Sequence, residues 1–427
     1  MNLYCDYKDS GLPWIGRIPS HWQLERAKWS FKIRNERGNQ ELVLLAATQK
    51  NGMYPQEKVE GVVKVADGTD LQQFKTVHKG DFVISLRSFQ GGFERSDYEG
   101  VCSPAYQVFF ADPAVWHNDY LKFLFKDVHF IDAMNALTVG IREGRNIKYE
   151  DFANSQLAIP PYDEQVAIAT FLLRQTQEID AVITEAKVSI EEYKAWKASI
   201  IYEAVTKGIN PTADMKNSGV RWIGKMPSSW KRTKISRCFT KIGSGTTPNS
   251  DDDTLYSGDI SWLQSGDING GIVGETKKQI SLIAFEEYSA LKMYLAPFIA
   301  IAMYGASIAN TSIVNIDACT NQACCVLSDP KEFVNLQFVY YSILAAKTEL
   351  LLQGRGGTQP NISQDIIRNL IIPIPPLDEQ IAISKKLSKK CDMIDTLIDE
   401  KQALITELES YKKSLIFEAV TGKRKVC

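Results

Sequence analysis

The sequence predicts an α+β protein with an internal duplication. Two globules of mixed α and β structure are separated by two long helices, which pack as an antiparallel coiled coil with pseudo-two-fold symmetry. Two repeated segments carry this prediction. The motif Ser-Gly-x-x-Trp-Ile-Gly-x-x-Pro-x-x-Trp begins at Ser10 and returns 208 residues later at Ser218. A longer block begins at Ile159 and returns 215 residues later at Ile374.

The repeats divide the chain into four parts, in which segments that differ alternate with segments that are shared. The globules are predicted in residues 1–158 and 209–373, and we name them the first and the second head. A long helix follows each head, in residues 159–208 and in residues 374–427. Solenoid repeats are far shorter, about 20–50 residues, so the pattern indicates one duplicated head-and-helix unit.

Each head is expected to combine short strands with short helices. Apolar stretches between turn residues predict strands at residues 81–86, 106–110 and 298–302. Paired glycines predict loops at residues 91–92, 270–271 and 356–357. Short helices are predicted at residues 119–137 and 336–352.

The shared blocks predict two long helices. Pro160 and Pro161 set the start of the first helix, and neither Pro nor Gly follows until Gly208. A helix of about 45 residues is about 65 Å long, so its apolar stripe needs a partner, and the simplest partner is its own copy. The predicted seam residues are Leu172, Ile179, Val182, Trp196, Leu387, Ile394, Leu397 and Tyr411.

Composition excludes several classes of protein. The charged residues nearly cancel, with a net charge of -2, so any nucleic-acid contact must come from local patches. The N-terminal segment lacks the pattern of a signal peptide, and no apolar run is long enough to span a membrane, so a cytoplasmic protein is expected. The 8 cysteines lack paired Cys-x-x-Cys spacing, which predicts reduced, mostly buried thiols.

Catalytic motifs are not evident in the sequence. Residues 219–226 come near the phosphate-loop pattern, but Met226 stands where that pattern needs Ser or Thr. Residues 159–162 read Ile-Pro-Pro-Tyr, and Ile cannot grip a flipped adenine as Asn does in the Asn-Pro-Pro-Tyr loop of amino-methyltransferases. The four histidines have no metal-ligand spacing. These observations favour a binding role without a bound cofactor or metal.

Local basic and glycine-rich stretches of the heads are candidate DNA contacts. Arg and Gln suit guanine and adenine edges, and small residues between glycines let backbone N–H groups approach phosphate. An ordinary solvated turn stays an alternative reading of each stretch. The candidate residues are Arg87, Ser88, Gln90, Gly91 and Gly92, Arg142 and Arg145, Lys241, Ser244, Gly245, Thr246 and Thr247, and Arg355, Gly356, Thr358 and Gln359.

These repeated motifs resemble the specificity (S) subunit of type I restriction-modification enzymes. The resemblance covers the whole chain. Its most specific element is Pro-Pro-x-Asp-Glu-Gln at the start of a long helix that ends in Glu-Ala-Val-Thr, which occurs twice. Residues 87–92 also resemble a Ser-x-x-Gly-Gly loop of recognition domains in that family, and Ser-Pro-Ala-Tyr follows at residues 103–106.

The resemblance implies a non-catalytic DNA-recognition subunit. Its two heads would each read one half of a bipartite, asymmetric site in double-stranded DNA, and its helices would set the spacer and dock two methyltransferase (M) subunits. The cofactors would belong to the partners. The M subunits use S-adenosylmethionine to methylate adenine, and the restriction (R) subunits cut DNA with ATP and Mg²⁺.

Two other classes of function stay open from the sequence. A structural coiled-coil adaptor without DNA readout would explain the helices, but it would not need two divergent heads. A fused, self-contained methyltransferase-nuclease would need cofactor and metal motifs, which the sequence does not present.

Overall fold

The computed structural model describes residues 3–39, 41–49, 51–59, 71–137, 147–354 and 361–426. The chain forms two compact units. The first unit consists of Met1–Lys187 and Gln402–Cys427, and the second consists of Val188–Lys401. Each unit therefore contains one head together with a segment of each long helix. The predicted α+β fold with two heads and two long helices is confirmed, while the four-part domain division stays a prediction.

The first head consists of short strands and short helices, and the first long helix follows it. The strands are β1 (Tyr7–Asp9), β2 (Arg17–Pro19), β3 (Gln23–Arg26), β4 (Phe31–Ile33), β5 (Leu45–Thr48), β6 (Gly52–Pro55), β7 (Lys75–Val77), β8 (Phe82–Ile84), β9 (Glu94–Arg95), β10 (Gly100–Cys102), β11 (Gln107–Ala111) and β12 (Gln156–Ile159). The helices are α1 (Ser88–Gly91), α2 (Asn118–Leu124), α3 (Val128–Leu137), α4 (Tyr149–Asn154) and α5 (Tyr162–Lys207).

The second head also consists of short strands and short helices, and its central strands are longer. Its strands are β13 (Met215–Asn217), β14 (Lys225–Pro227), β15 (Lys231–Lys234), β16 (Phe239–Gly243), β17 (Ile260–Leu263), β18 (Ile272–Val273), β19 (Lys278–Ile280), β20 (Phe298–Ala302), β21 (Thr311–Val314), β22 (Cys319–Thr320), β23 (Cys324–Pro330) and β24 (Ile371–Ile374). Its helices are α6 (Leu282–Glu287), α7 (Leu336–Ala345), α8 (Lys347–Gln353) and α9 (Gln364–Asn369), and the long helix α10 (Leu377–Val420) follows. The predicted strands are confirmed, and each predicted short helix is a pair of helices.

The central sheets of the two heads are built alike. In the first head the strand order is β4-β11-β8-β9, and in the second it is β16-β23-β20-β21-β18. The middle strands β11 and β23 each pair antiparallel with both neighbours. Aromatic residues such as Phe82 and Phe109 fill the core of the first head, whereas the core of the second head is mostly aliphatic. The two heads therefore share a strand arrangement although their core residues differ.

The repeated Ser-Gly-x-x-Trp-Ile-Gly motif is a turn that a serine closes. In the first head, the Ser10 hydroxyl accepts a hydrogen bond from the Leu12 N–H at 3.1 Å and donates one to the Gly16 carbonyl. Ser218 makes the same two bonds in the second head. Gly16 has a φ of 71° and its counterpart Gly224 has a φ of 65°, a region that favours glycine. These contacts explain why the motif occurs twice.

The Gln of the Pro-Pro-x-Asp-Glu-Gln motif joins each long helix to its head. The fully buried Gln165 amide accepts from the His117 N–H at 2.9 Å and donates to the Val115 and Pro160 carbonyls, both at 2.9 Å. Gln380 repeats these bonds with the corresponding backbone atoms of the second head: Asn335 N–H, Phe333 O and Pro375 O. All six partners are backbone atoms, so the bonds of these two glutamines do not depend on the side chains of the head.

The long helices α5 and α10 contain 46 and 44 residues, close to the predicted length. In the first unit, Asp180 of α5 pairs with Lys412 of α10 at 2.7 Å. In the second unit, Lys197 of α5 pairs with Asp395 of α10 at 2.6 Å. Asp180 and Lys197 return 215 residues later as Asp395 and Lys412, so the second pair is the first with the two helices exchanged. Within each unit, the two helices are therefore joined by an Asp–Lys pair of equivalent residues.

Both units also support the antiparallel direction of the helices. In the first unit, Gln165 at the start of α5 accepts a hydrogen bond from the His117 N–H. The Tyr120 hydroxyl donates to the carbonyl of Val420, at the end of α10, at 2.9 Å. In the second unit, Trp230 donates to Glu379 at the start of α10 at 2.9 Å and lies beside Gly208, which follows α5. In each unit the start of one helix and the end of the other meet the same head. The predicted antiparallel packing is therefore confirmed within each unit.

Half of the predicted seam residues lie outside the buried stripe. Leu172, Ile179, Leu387 and Ile394 are buried, as the apolar spacing predicts. The other four are exposed: Val182 at 44%, Trp196 at 53%, Leu397 at 37% and Tyr411 at 45%. The buried residues Ile183, Ile405 and Leu415 continue the stripe instead, together with the partly buried Ile398. The prediction was wrong at these four positions because each long helix carries two neighbouring apolar stripes with the same residue spacing, and only one of the two is buried.

Among the described residues, no helix is long and apolar enough to cross a membrane. Within the same residues, no group of three or more His, Cys, Asp or Glu side chains is arranged to hold a metal ion. The described cysteines are free thiols, and all of them except Cys5 are buried. Burial raises the pKa of Cys324 and of Cys325 to about 12, so these thiols stay protonated at neutral pH.

Candidate nucleic-acid interface

Loops of divergent sequence meet at the same end of both central sheets. In the first head, the end of β8 pairs with the start of β11, so residues 86–92 lie beside residues 103–106. In the second head, the end of β20 pairs with the start of β23, so residues 303–307 lie beside residues 320–323. The segments that follow β4 and β16 reach the same ends. We name these two surfaces the loop ends of the heads.

The loop of residues 86–92 exposes two of its predicted DNA contacts. Arg87 and Gln90 are exposed, on the residue before α1 and within α1. Ser88 is buried, and its hydroxyl accepts a hydrogen bond from the Ser85 N–H at 2.7 Å. Gly92 has a φ of 72°, and a Cβ there would lie 2.0 Å from the Phe125 carbonyl oxygen. The prediction for Ser88 and Gly92 is therefore corrected, because both residues shape the loop from inside.

Gly91 is half-buried and lies against the side chain of Gln49. Its carbonyl accepts a hydrogen bond from Lys126, so its role in the loop is also structural. Arg87 and Gln90 remain as the two exposed polar side chains of this loop.

Further basic and amide side chains surround the loop end of the first head. Arg37 and Gln73 are exposed and bonded to each other at 3.1 Å. Arg37 also pairs by its backbone with Lys75, whose ammonium donates to the Tyr106 carbonyl at 2.5 Å. Burial lowers the pKa of the Lys75 ammonium, and the nearby Arg37 lowers it further. Arg37 and Gln73 were not predicted from the sequence, because they lie outside the glycine-rich stretches that indicated contacts.

In the second head, the glycine-rich segment packs against the turn before β23. A Cβ at Gly245 would lie 1.7 Å from the Thr320 carbonyl oxygen, and the Gly245 N–H donates to the Asn321 carbonyl. The predicted phosphate contact through the Gly245 amide is therefore corrected, because that donor already has a partner. Ser244 and Thr246 are half-buried.

Other predicted residues of the second head keep exposed polar groups. Thr247 is exposed, and its hydroxyl bonds the exposed side chain of Gln322 at 2.6 Å. Lys241 is exposed and pairs with Asp329 at 2.9 Å, which lowers the pKa of that carboxyl. Tyr304 is 43% exposed at the position that Leu86 holds in the first head. Tyr304 and Gln322 were not predicted as contacts, although Tyr304 lies just after the predicted strand at residues 298–302.

The remaining predicted contacts lie outside the described residues. They are Arg142, Arg145, Arg355, Gly356, Thr358 and Gln359. Asn361 bridges to Tyr304, and the Ile362 N–H donates to the Met303 carbonyl at 2.9 Å. The chain therefore returns to the loop end of the second head at Asn361.

The first head is predicted to lose stability as the pH rises, because of His78. Its two ring nitrogens bond two carboxylates, Glu36 at 2.8 Å and Glu99 at 3.1 Å, and two acceptors require a doubly protonated imidazole. The hydrogen bond with Glu36 raises the pKa of His78 above its ordinary 6.5 and lowers the pKa of Glu36 below its ordinary 4.5. The His78 contribution is complete below pH 6.5 and is lost as the pH rises through the raised pKa.

The Glu36 contribution has the opposite sign, so it is complete above pH 4.5 and is lost on acidification. We therefore expect the stability difference between the wild type and His78→Gln to be largest between pH 4.5 and pH 6.5 and to shrink at higher pH. Urea unfolding of both proteins at a series of pH values measures it. A difference that stays constant up to pH 9, well above the ordinary range of histidine at about 6.5, would contradict this role.

Residues 227–409 match the family model of the type I restriction modification DNA specificity domain. The chain is also similar to the MjaX type I restriction enzyme specificity subunit of Methanocaldococcus jannaschii, with 26% identity over 286 residues, 66% of this chain and 62% of the relative. The MjaVIII specificity subunit of the same organism is 25% identical over 295 residues, which are 66% of each protein. The chain thus spans slightly less than two thirds of the length of these curated relatives.

Two solved structures share the fold. A chain from a study of complex assembly and conformational transition of the type I R-M system has a TM-score of 0.73 at 16% identity, covering 94% of this chain and 98% of that chain. The HsdS subunit from Thermoanaerobacter tengcongensis has a TM-score of 0.54 at 15% identity, covering 95% of this chain and 98% of that chain. At such identities the likeness concerns the fold alone.

Proposed function

We propose that the chain is a type I restriction-modification specificity subunit, the DNA-recognition subunit of such a complex; the match of residues 227–409 to the DNA specificity domain and the similarity to the MjaX specificity subunit support this proposal. Each head reads one half of a bipartite, asymmetric site in double-stranded DNA, and the long helices set the spacer. The chain carries out no chemistry. Its M subunits use S-adenosylmethionine for adenine methylation, and R subunits use ATP and Mg²⁺ for cleavage.

One observation carries the proposal of two separate readers. The heads share their frame, since the Ser10 and Ser218 turns and the Gln165 and Gln380 junctions make matching bonds. They differ in the loops that meet at the loop ends. A shared frame with different exposed side chains supports reading of two different half-sites, because base contacts specify the sequence while the frame positions them.

The exposed side chains of the loop ends belong to residue types that suit base edges. In the first head these are Arg87, Gln90 and Arg37, and in the second head they are Gln322 and Tyr304. The net charge of -2 supplies little general attraction to phosphate. We therefore assign part of the phosphate contacts to the M subunits.

Exposed apolar residues of the helices support two equivalent docking surfaces for M subunits. In the first unit, the exposed side chains of Val182 and Tyr411 lie within two residues of the ion pair between Asp180 of α5 and Lys412 of α10. In the second unit, Leu397 and Trp196 flank the pair between Asp395 and Lys197 in the same way. Each surface offers one aliphatic and one aromatic residue, which suits two copies of one partner.

Loss of one surface is expected to remove one M subunit. We predict that Trp196→Ala with Leu397→Ala weakens one of the two docking sites about 30-fold or more, since a buried interface aromatic contributes about 2 kcal/mol. Native mass spectrometry of the complex would then detect one M subunit where the wild type carries two. Glu192→Ala, an exposed residue of the same helix, is the matched control. Two bound M subunits at wild-type affinity would contradict the assignment.

Coexpression tests the function itself. The chain and its M subunit are produced in a host that lacks both, and methylated adenines are mapped by genome sequencing. We expect a motif of two short defined halves around an unread spacer, and no methylation when the chain is omitted. Methylation by the M subunit alone, or a continuous motif, would contradict the proposal.

A further inference from the structure

Each head places a lysine at the junction of the two helices that follow its sheet. Lys126 lies between α2 and α3 in the first head, and Lys347 is the first residue of α8, directly after α7, in the second. Both side chains are partly buried. Neither lysine belongs to the repeated sequence blocks, yet both reach the loop that follows the equivalent strand, β8 or β20.

In the first head, Lys126 supports the loop that carries Arg87 and Gln90. Its ammonium donates to the Gly91 carbonyl at 2.7 Å and to the Glu94 carboxylate at 2.6 Å. The Glu94 side chain is only 3% exposed. Burial raises the pKa of Glu94 to about 7, while the Lys126 ammonium acts in the opposite direction. A buried acid that binds this lysine keeps the ammonium beneath the loop.

Two further contacts seat the same loop. The Asn135 amide donates to the Phe89 carbonyl at 2.8 Å, so Asn135 and Lys126 together satisfy carbonyls at the end of α1. Gly92 lies so close to the Phe125 carbonyl that no side chain fits there. The backbone of the loop therefore rests on the segment that contains Lys126.

In the second head, Lys347 reaches the corresponding loop through Asn310. Its ammonium donates to the Asn310 side-chain oxygen at 2.9 Å. The Asn310 N–H donates to the Ser307 carbonyl at 2.8 Å, and its amide donates to the Ile268 carbonyl at 3.2 Å. Asn310 thereby links Lys347 to the loop that exposes Tyr304.

We propose that Lys126 and Lys347 are positioning residues for DNA readout, each of which holds the reading loop of its own head without contacting DNA. The inference rests on the proposed function. Base readout needs side chains held to within about 0.5 Å, and a short loop supplies that only when its backbone is tied down. The two heads have reached the same solution with different bonding partners.

The test uses the complete complex and two variants that serve as controls for each other. Lys126→Met is expected to lower discrimination at the first-head half-site about tenfold while the other half-site stays within about twofold. Lys347→Met is expected to do the reverse. Methylation rates on oligonucleotides with single substitutions in each half measure both. Lys122→Met, an exposed lysine of α2, is the matched control without effect.

Conservative variants separate positioning from a general structural role. Lys126→Arg retains a donor and is expected to restore most of the discrimination. A variant that only lowered the melting temperature would not lower discrimination at one half-site alone. If Lys126→Met does not fold, milder substitutions are measured in the same assay: Glu94→Gln in the first head and Asn310→Ala in the second. Unchanged discrimination, or an equal loss in both halves, would overturn the inference. A wild-type complex that reads no bipartite site would instead overturn the proposed function, before any substitution is made.

Discussion

Replacing residues 23–158 with the corresponding segment of another specificity subunit is expected to change one half of the methylated site and leave the other half unchanged. The preference for the original half-site should fall about a thousandfold or more, since each mismatched base pair costs about 1–3 kcal/mol and several are changed together. The spacer should stay the same, because α5 and α10 are retained.

The junction between head and helix explains why such an exchange can fold. Gln165 bonds the backbone of residues 115, 117 and 160 and contacts no side chain of the head in these bonds. Strand β12 also pairs with β3 through backbone atoms, from Gln156 with Arg26 to Ile159 with Gln23. A head of different sequence but the same backbone can therefore make the same bonds with Gln165 and the same strand pairing.

Genome-wide mapping of methylated adenines in cells that contain the chimera and the M subunit measures the result. The reciprocal exchange of residues 231–373 is the matched control, and it should change the other half alone. If either exchange altered both halves of the motif, the heads would not read DNA independently.

The second large effect is expected for Ile394→Asp. Ile394 is 2% exposed on the buried stripe of α10, near Cys391 and Leu387. A carboxylate at so buried a position would lose most of its hydration. We expect a loss of about 4 kcal/mol or more in the free energy of unfolding, enough to remove the folded protein at moderate denaturant.

Urea unfolding and gel filtration measure this loss. Thr396→Asp is the control, since Thr396 is exposed on the same helix two residues away and should change the free energy of unfolding by less than about 0.5 kcal/mol. A folded Ile394→Asp protein of wild-type stability would show that this stripe does not hold the helices together.

Sequence alone was sufficient for the duplication, the two long helices and the antiparallel direction of their packing. Matching residues at a constant offset are visible without coordinates, and a long stretch without Pro or Gly favours helix through local interactions. A repeated helix that must cover its own apolar stripe pairs with its copy, and the pairs Asp180–Lys412 and Lys197–Asp395 agree with that expectation.

Only the tertiary structure decided which side chains of these elements face the protein and which face solvent. Val182 and Trp196 follow the same spacing as Ile179 and Ile183, yet they are exposed. A helix turns by about 100° per residue, so which of its faces is buried depends on where the packing partner lies. Ser88 and Gly245 look like ligand contacts in the sequence, yet they serve the packing of their own loops. Thr320 is distant from Gly245 in the sequence and becomes its neighbour only through the path of the folded backbone, of which composition carries no record.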